Sequence, residues 1–168
     1  MQNKAKLTSS VQNPDFFILL CNYFEDIQDF DITKLNNIFL DTPGGINLTL
    51  LIMLTQHISS FSDDSCYVYL VKCNEQDYNK YDGYINIAHF SLNPLNNMQA
   101  MNYKERPLNT IQNGKEIPYT RQTFILPLNQ FPTLGTGNYR IIIADKINED
   151  NGNFNKIYST QDFTVIPN

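Results

Sequence analysis

Alternation of apolar side chains with a period of two residues is the feature that most constrains how this chain of 168 residues can fold. In segment 46–58, every second position from 48 to 54 is aliphatic: Leu48, Leu50, Ile52 and Leu54. Side chains two residues apart share one face of a strand, so this spacing predicts a β-strand that is mostly buried. A chain dominated by this period is expected to belong to the all-β class.

Seven further segments are predicted to be strands because they are rich in β-branched and aromatic residues. They are 15–23, 35–40, 66–74, 84–92, 121–128, 139–145 and 157–166. Segments 46–58 and 66–74 are predicted to pair as a hairpin across a polar turn, and Asn151-Gly152 predicts a second hairpin near the end of the chain. Segment 24–41 also fits a helical pattern, but a strand at 35–40 is preferred.

Seven or eight strands with at most one or two short helices predict a β-sandwich of two antiparallel sheets, with a β-barrel as the alternative. Residues 1–13 are expected to form a flexible N-terminal segment, and residues 14–168 a single domain. The polar stretch 93–120 is predicted to be a long loop with a short helix at Met98–Glu105. Long loops often carry function, so this stretch is a candidate binding region.

Charge and composition restrict the partners that such a domain can bind. The formal net charge is −5, from 12 basic and 17 acidic side chains, and the basic residues are scattered rather than clustered as a nucleic-acid groove requires. No apolar run approaches the roughly 18 residues that cross a bilayer, and no signal peptide is recognisable. The three cysteines form no close pair. We therefore expect a cytoplasmic protein with no nucleic-acid or membrane partner.

The segment LGTGNYRIIIAD, residues 134–145, contains two closely spaced glycines before a run of isoleucines. A dinucleotide fingerprint needs a third glycine where Arg140 stands, and a helix after it. A phosphate-binding loop of the Gly-Lys-Ser/Thr type is also missing. The pattern instead predicts a glycine-rich turn into a strand with Tyr139, Ile141 and Ile143 on one face.

Cysteine and histidine are the side chains most able to support catalysis in this chain, yet none stands in a recognisable motif. Cys66 and Cys73 are seven residues apart and should face opposite sides of one strand. Cys21 lies in an apolar run, where a thiol behaves as a small buried hydrophobe. His57 and His89 each lie within a strand pattern. No spacing matches a metal site, and the acidic pair at 63–64 lacks the calcium-loop pattern, so no cofactor or metal is expected.

Tyrosines are concentrated around one predicted hairpin and its loop. Tyrosine combines a large apolar ring with a polar hydroxyl and is enriched at protein interfaces, although carbohydrate-binding proteins also stack sugars on such rings. Two of these tyrosines share one strand face. Together with residues of the long loop they define the predicted interaction surface: Tyr67, Tyr69, Tyr78, Tyr81, Tyr84, Met98, Met101 and Tyr103.

The order of several segments resembles a family of small bacterial β-sandwich proteins of unknown function. These segments are FILLCNYFEDI, LNNIFLDTPGG, LTLLIML, CYVYLVKCN, FILPLNQFPTLGTGNYRIIIAD and DFTVI. Asn22, Asn37 and the insert 93–120 depart from the family pattern. The closing Leu-x-x-Gly-x-Tyr and Phe-x-Val patterns are shared by many immunoglobulin-like modules. The resemblance implies an immunoglobulin-like sandwich and carries over no functional residue, because the family has no established activity.

The sequence therefore predicts a non-enzymatic binding module that acts through a protein–protein interaction. The lack of a catalytic motif, the long polar stretch and the tyrosines motivate this hypothesis. Three alternatives remain open: a carbohydrate-binding module, a phage or mobile-element inhibitor of a host complex, and an enzyme with an unrecognised site that uses Cys21, Cys66 or a histidine.

Overall fold

The structure, a computed structural model, describes residues 14–22, 38–41, 48–57, 60–97, 104–112, 115–128 and 134–168. These ranges contain nine strands and a short 3-10 helix at Pro94–Asn97. The strands are β1 (Asp15–Asn22), β2 (Ile38–Asp41), β3 (Leu48–His57), β4 (Ser65–Cys73), β5 (Tyr81–Ser91), β6 (Lys104–Gln112), β7 (Lys115–Pro127), β8 (Gly137–Ala144) and β9 (Ile157–Pro167). The predicted N-terminal segment 1–13 and most of 24–41 lie outside the described residues.

The strands form two sheets, one with the order β1-β3-β7-β6 and the other with the order β2-β9-β8-β4-β5. Every pair is antiparallel except β2 with β9, which run parallel. The first, second, fourth and fifth strands of an immunoglobulin domain make up one sheet, and the third, sixth and seventh make up the other. This order matches that arrangement when the two edge strands of the second sheet, β2 and β5, are left out of the count. The predicted all-β sandwich of two sheets is confirmed.

The core lies between the two sheets and contains the predicted face of β3. Leu50, Ile52 and Leu54 have no exposed surface. Across the core, the ring of Phe90 on β5 stacks on the ring of Phe124 on β7, with 4.4 Å between ring centroids. Alternation with a period of two therefore produced the buried layer that the sequence predicted.

A chain of buried amide side chains joins the two sheets at one end of the core. Gln122 donates from Nε2 to Oε1 of Gln56 at 3.0 Å, and Asn97 donates from Nδ2 to Oε1 of Gln122 at 2.9 Å. Gln56 donates to the carbonyl of Leu92, and Asn97 exchanges hydrogen bonds with the backbone of Ser91. We call Gln56, Gln122 and Asn97 the amide network. Such a network stabilises a core only because its polar atoms have partners.

The predicted hairpin between segments 46–58 and 66–74 is wrong. Strand β3 pairs with β1 and β7, whereas β4 pairs with β5 and β8 in the other sheet. The connection crosses from one sheet to the other, so the apolar rows of the two strands face each other across the core. Two amphipathic strands satisfy the same alternation whether they pair side by side or pack face to face, and the sequence does not separate these arrangements. The second predicted hairpin, between β8 and β9, is confirmed.

The predicted long loop at 93–120 is also wrong, because strands β6 and β7 occupy much of it. They pair from Lys104–Thr123 to Gln112–Lys115, and the two residues between them, Asn113 and Gly114, are a typical hairpin sequence. Lys104 and Glu105 belong to β6 rather than to the predicted helix Met98–Glu105, whose other residues lie outside the described part. Pro107 obscured the strand pattern, but β6 is an edge strand, where proline is tolerated. With β6 included, the strand count rises above the predicted seven or eight.

Candidate functional site

Aromatic side chains gather on the side of the five-stranded sheet that faces away from the core, which we call the outer face. The cross-strand register places Tyr67 opposite His89, and Tyr84 opposite Val71. The loop between β8 and β9 adds a ring from Phe154. We call the following six residues the aromatic cluster: Tyr67, Tyr69, Tyr81, Tyr84, His89 and Phe154.

Ring contacts link the cluster into one unit. Tyr67 stacks between two neighbours, with centroid distances of 6.2 Å to Tyr69 and 6.0 Å to His89. Tyr69 makes edge contacts with Tyr84 at 5.9 Å and with Phe154 at 5.2 Å. Phe154 also meets Tyr81 edge-on at 6.1 Å. Offset and edge contacts of this kind fix ring orientations as well as burying apolar surface.

Tyr69 is the fixed centre of the cluster. Its side chain is 2% exposed, and its hydroxyl accepts a hydrogen bond from the backbone N–H of Ile147 at 2.9 Å. Burial raises the pKa of Tyr69, and the hydrogen bond from Ile147 opposes that rise only in part. Tyr69 therefore packs with Val71, Ile142 and Ile147 as a small second core on the outer face, and it supports the rings around it.

Tyr84 is the most exposed tyrosine of the cluster and therefore presents the most contact surface to a partner. It is 45% exposed, and its ring leans on Tyr69. His89 is also exposed, whereas Tyr67 and Tyr81 are half-buried. The cluster thus combines a buried support with exposed aromatic surface.

An ion pair borders the cluster on the neighbouring strands. Arg140 on β8 donates from both Nε and a terminal nitrogen to the carboxylate of Asp162 on β9. This carboxylate is the main cause of a raised pKa of the Arg140 guanidinium, and Tyr81 adds to the rise. The two-point geometry holds the guanidinium in place beside the aromatic rings.

Aliphatic side chains are exposed at the opposite edge of the same outer face. Strand β2 presents Ile38 and Leu40, which are 57% and 51% exposed. The parallel register puts Leu40 beside Ile166 of β9, which is 39% exposed. We call Ile38, Leu40 and Ile166 the aliphatic patch. The outer face therefore has apolar surface at both edges and the Arg140–Asp162 ion pair between them.

The structure brings together four of the eight residues that the sequence predicted as an interaction surface: Tyr67, Tyr69, Tyr81 and Tyr84. Tyr78 is 51% exposed in the turn between β4 and β5 and is not part of the cluster. Met98, Met101 and Tyr103 lie outside the described residues. Sequence reasoning missed His89 and Phe154. The strand register could have found His89, whereas no pattern in the sequence indicates that Phe154 folds back onto the sheet.

Cys66 and Cys73, the cysteines whose side chains are described, lie on opposite faces of β4, as their spacing predicted. Cys66 belongs to the main core, and Cys73, also buried, lies on the face of Tyr69 and Val71. Burial raises the pKa of the Cys66 thiol to about 12, although a hydrogen bond with Tyr158 opposes the rise, and burial also raises the pKa of Cys73. Thiols in such surroundings are weak nucleophiles at neutral pH.

The glycine-rich segment 134–145 forms a corner that leads into β8. Gly137 has φ of +145°, a conformation that favours glycine, and the hydroxyl of Tyr139 donates to the carbonyl of Gly135 at 2.8 Å. A tyrosine that bonds back to the chain just before its strand is a recurrent corner of immunoglobulin-like domains. The predicted strand, with Tyr139, Ile141 and Ile143 on one face, is confirmed, and that face lies in the core.

Comparison with known proteins adds no family assignment: no protein-family model and no curated protein matches this chain. The resemblance to small bacterial sandwich proteins stays a prediction. Within the described ranges, no three or more His, Cys, Asp or Glu side chains group closely enough to hold a metal ion. The same ranges contain no helix with the length and hydropathy of a membrane span.

Proposed function

We propose that this protein is a non-enzymatic binding module whose partner is another protein, held on the outer face of the five-stranded sheet. The observation that carries the proposal is the aromatic cluster, in which exposed Tyr84 rests on buried Tyr69. Tyrosine anchors at the centre of interfaces contribute much of the binding energy in protein complexes.

The cluster is suited to binding because its exposed ring is held in place before a partner arrives. Tyr84 contacts Tyr69, and Tyr69 is held by the N–H of Ile147 and by the ring of Phe154. A ring that is already ordered loses little conformational entropy on binding, so more of its contact energy appears as affinity.

The aliphatic patch extends the same surface toward β2. Five strands spaced about 4.8 Å apart make a face roughly 19 Å wide from β5 to β2. A partner that contacts both edges would also cover Arg140 and Asp162, whose opposite charges are paired through two hydrogen bonds within the sheet. The partner is therefore expected to be a protein surface rather than a ligand that fills one cavity.

Site-specific photo-crosslinking in the native cells tests this proposal. The photoreactive amino acid p-benzoylphenylalanine replaces Tyr84 in one variant and Phe17 in a matched control. Phe17 is 53% exposed on β1 and points away from the core in the other sheet. We expect position 84 to yield a discrete crosslinked protein and position 17 to yield none.

A second variant separates binding from folding. Tyr84→Ala removes the exposed anchor but leaves Tyr69 and its hydrogen bond in place, so unfolding midpoints should change little. With the crosslinked protein purified, Tyr84→Ala should weaken its binding by about tenfold or more. Equal crosslinking from positions 84 and 17, or unchanged affinity of Tyr84→Ala, would place the binding surface elsewhere.

A further inference from the structure

A pocket opens on the other side of β4 and β5, at the end of the sandwich where β8 begins. Its volume is about 310 Å³. Leu70 of β4, Ile85 of β5, Leu134 and Tyr139 form its walls, and Lys72 and Asp82 also line it. An apolar cavity of roughly 150 Å³ is enough to bind benzene, so this pocket has room for a fused pair of rings or a medium-length aliphatic chain.

The segment 134–145, which lacks the pattern of a nucleotide site, builds one wall of this pocket. Leu134 and Tyr139 line it directly, and Gly137 lies beneath the side chain of Lys72. A Cβ atom at position 137 would lie 3.2 Å from Cε and 3.8 Å from Nζ of Lys72. Glycine at this position therefore lets the lysine side chain lie across the corner.

The two charged groups at the pocket differ in their partners. Asp82 accepts a hydrogen bond from Nδ2 of Asn74 at 2.8 Å. Lys72 takes part in none of the ion pairs within the described ranges. An ammonium group outside these ion pairs attracts an anion, although Lys72 is exposed to solvent and the carboxylate of Asp82 at the same pocket opposes part of that attraction.

We propose that this pocket binds a small organic anion with an apolar body, such as an aromatic or medium-chain carboxylate, whose carboxylate meets Lys72. The apolar body would contact Leu70, Ile85 and Leu134. Tyr84 also lines this pocket, so the site borders the proposed protein-binding surface, although Leu70 and Lys72 lie on the side of β4 that faces the core.

Titration of the full 168-residue chain with 2-naphthoate tests the proposal, with methyl and amide NMR signals as the readout. We expect saturable binding near or below about 1 mM, with the largest shifts at Leu70, Ile85 and Leu134. Two probes with the same ring system control for charge: 2-naphthylmethanol is neutral and 2-naphthylmethylamine is cationic. The carboxylate should bind most tightly and the amine most weakly.

Two pairs of variants locate the site. Lys72→Met should weaken 2-naphthoate binding about tenfold and leave 2-naphthylmethanol nearly unchanged, whereas Lys80→Met, at an exposed lysine paired with Asp77, should change neither. Gly83 lies opposite Lys72, and a Cβ there would meet nothing within 4 Å, so Gly83→Leu should fill the pocket without disturbing the fold. Thr160→Leu, at an exposed position of β9 opposite Ile142, is its control.

Several results would overturn the proposal. They are the absence of saturable binding at about 1 mM, tighter binding of the amine than of the carboxylate, and full binding by Gly83→Leu. Circular dichroism and unfolding midpoints confirm that each variant is folded. Lys72→Met should leave crosslinking at position 84 unchanged, because Lys72 lies on the other face of β4, so the failure of one proposal can be told from the failure of the other.

Discussion

The amide network makes a quantitative prediction about the stability of the sandwich. Gln122 is fully buried on β7 and bonds to Gln56 on β3 and to Asn97 beyond β5. In Gln122→Met the side chain keeps nearly the same length but loses its polar atoms. Oε1 of Gln56 then loses its donor, and Nδ2 of Asn97 keeps only the carbonyl of Ser91.

The expected loss of folding stability in Gln122→Met follows from the polar groups that are left without hydrogen-bond partners. An orphaned buried polar atom costs about 1–3 kcal/mol, and the second lost hydrogen bond adds about 1 kcal/mol. Gln122→Met should therefore lower the free energy of unfolding by about 2–4 kcal/mol. Gln161→Met is the control, because Gln161 lies on β9 and, within the described residues, its side chain makes one exposed hydrogen bond, to the carbonyl of Asp162. Its effect should therefore stay within about 0.5 kcal/mol.

Urea unfolding of a double-mutant cycle measures the network itself. Each of Gln56→Met and Gln122→Met orphans an atom of the other residue, whereas the double variant removes both ends of their shared hydrogen bond. The double variant should therefore be more stable than the sum of the single effects predicts, by about 1–3 kcal/mol. Equal m-values in all four proteins would support a common two-state transition. Additivity within about 0.5 kcal/mol would refute the assigned hydrogen bond.

Three further predictions concern single hydroxyl and thiol groups. Tyr139→Phe removes the hydrogen bond to Gly135 and should lower the free energy of unfolding by about 1 kcal/mol, as measured by urea unfolding. Tyr69→Phe leaves the N–H of Ile147 without its acceptor and should speed hydrogen exchange at that amide, while amides in the middle of β3 keep their rates. Burial raises the pKa of Cys66 from 9.0 to about 12, so stability that is present below pH 9 should be lost as the pH rises toward 12. Cys66→Ala should flatten this alkaline decline in the urea midpoint, and iodoacetamide should modify the Cys66 thiol slowly until the chain unfolds.

The sequence predicted the central strands and the fold class because their apolar periodicity is strong. Leu50, Ile52 and Leu54 on β3, and Ile141 and Ile143 on β8, all lie in the core as their spacing required. Apolar periodicity of this kind indicates which side of a strand is buried, and burial of those sides between two sheets stabilises a sandwich. They do not record which strand lies beside which, and for this reason the predicted β3–β4 hairpin was wrong.

The edge strand and the buried amides were missed for a different reason. Strand β6 carries Pro107 and few apolar residues, so its composition suggested a loop, although Asn113-Gly114 gave a local hairpin signal. Gln56 and Gln122 are polar residues at core positions of their strands. Periodicity assigns such residues to the surface or leaves them undecided, because only the three-dimensional neighbours show that each amide has a partner.

Two irregularities in the pairing of β4 with β5 decide which side chains form the candidate surface. Counting back from buried Phe90 in steps of two places Tyr84 on the core side. The register instead shifts between Val68 and Tyr69, where the pairing passes from Ala88 to Asn86 and skips one residue of β5. A bulge of this kind reverses the faces of the residues beyond it, so Tyr84 joins the outer face and Ile85 turns toward the pocket.

The second shift, between Lys72 and Cys73, reverses the faces once more. Lys72 pairs with Gly83, but the next residue of β4, Cys73, pairs with Tyr81, so one residue of β5 is skipped. Tyr81 therefore lies on the outer face, on the same side as Tyr84. Without these two shifts, strict alternation would separate Tyr84 from Tyr67 and Tyr69 and would remove Ile85 from the pocket wall. Both proposed sites therefore depend on the same local departures from regular pairing, which hydrophobic periodicity does not reveal and which often re-aim side chains where a sheet carries function.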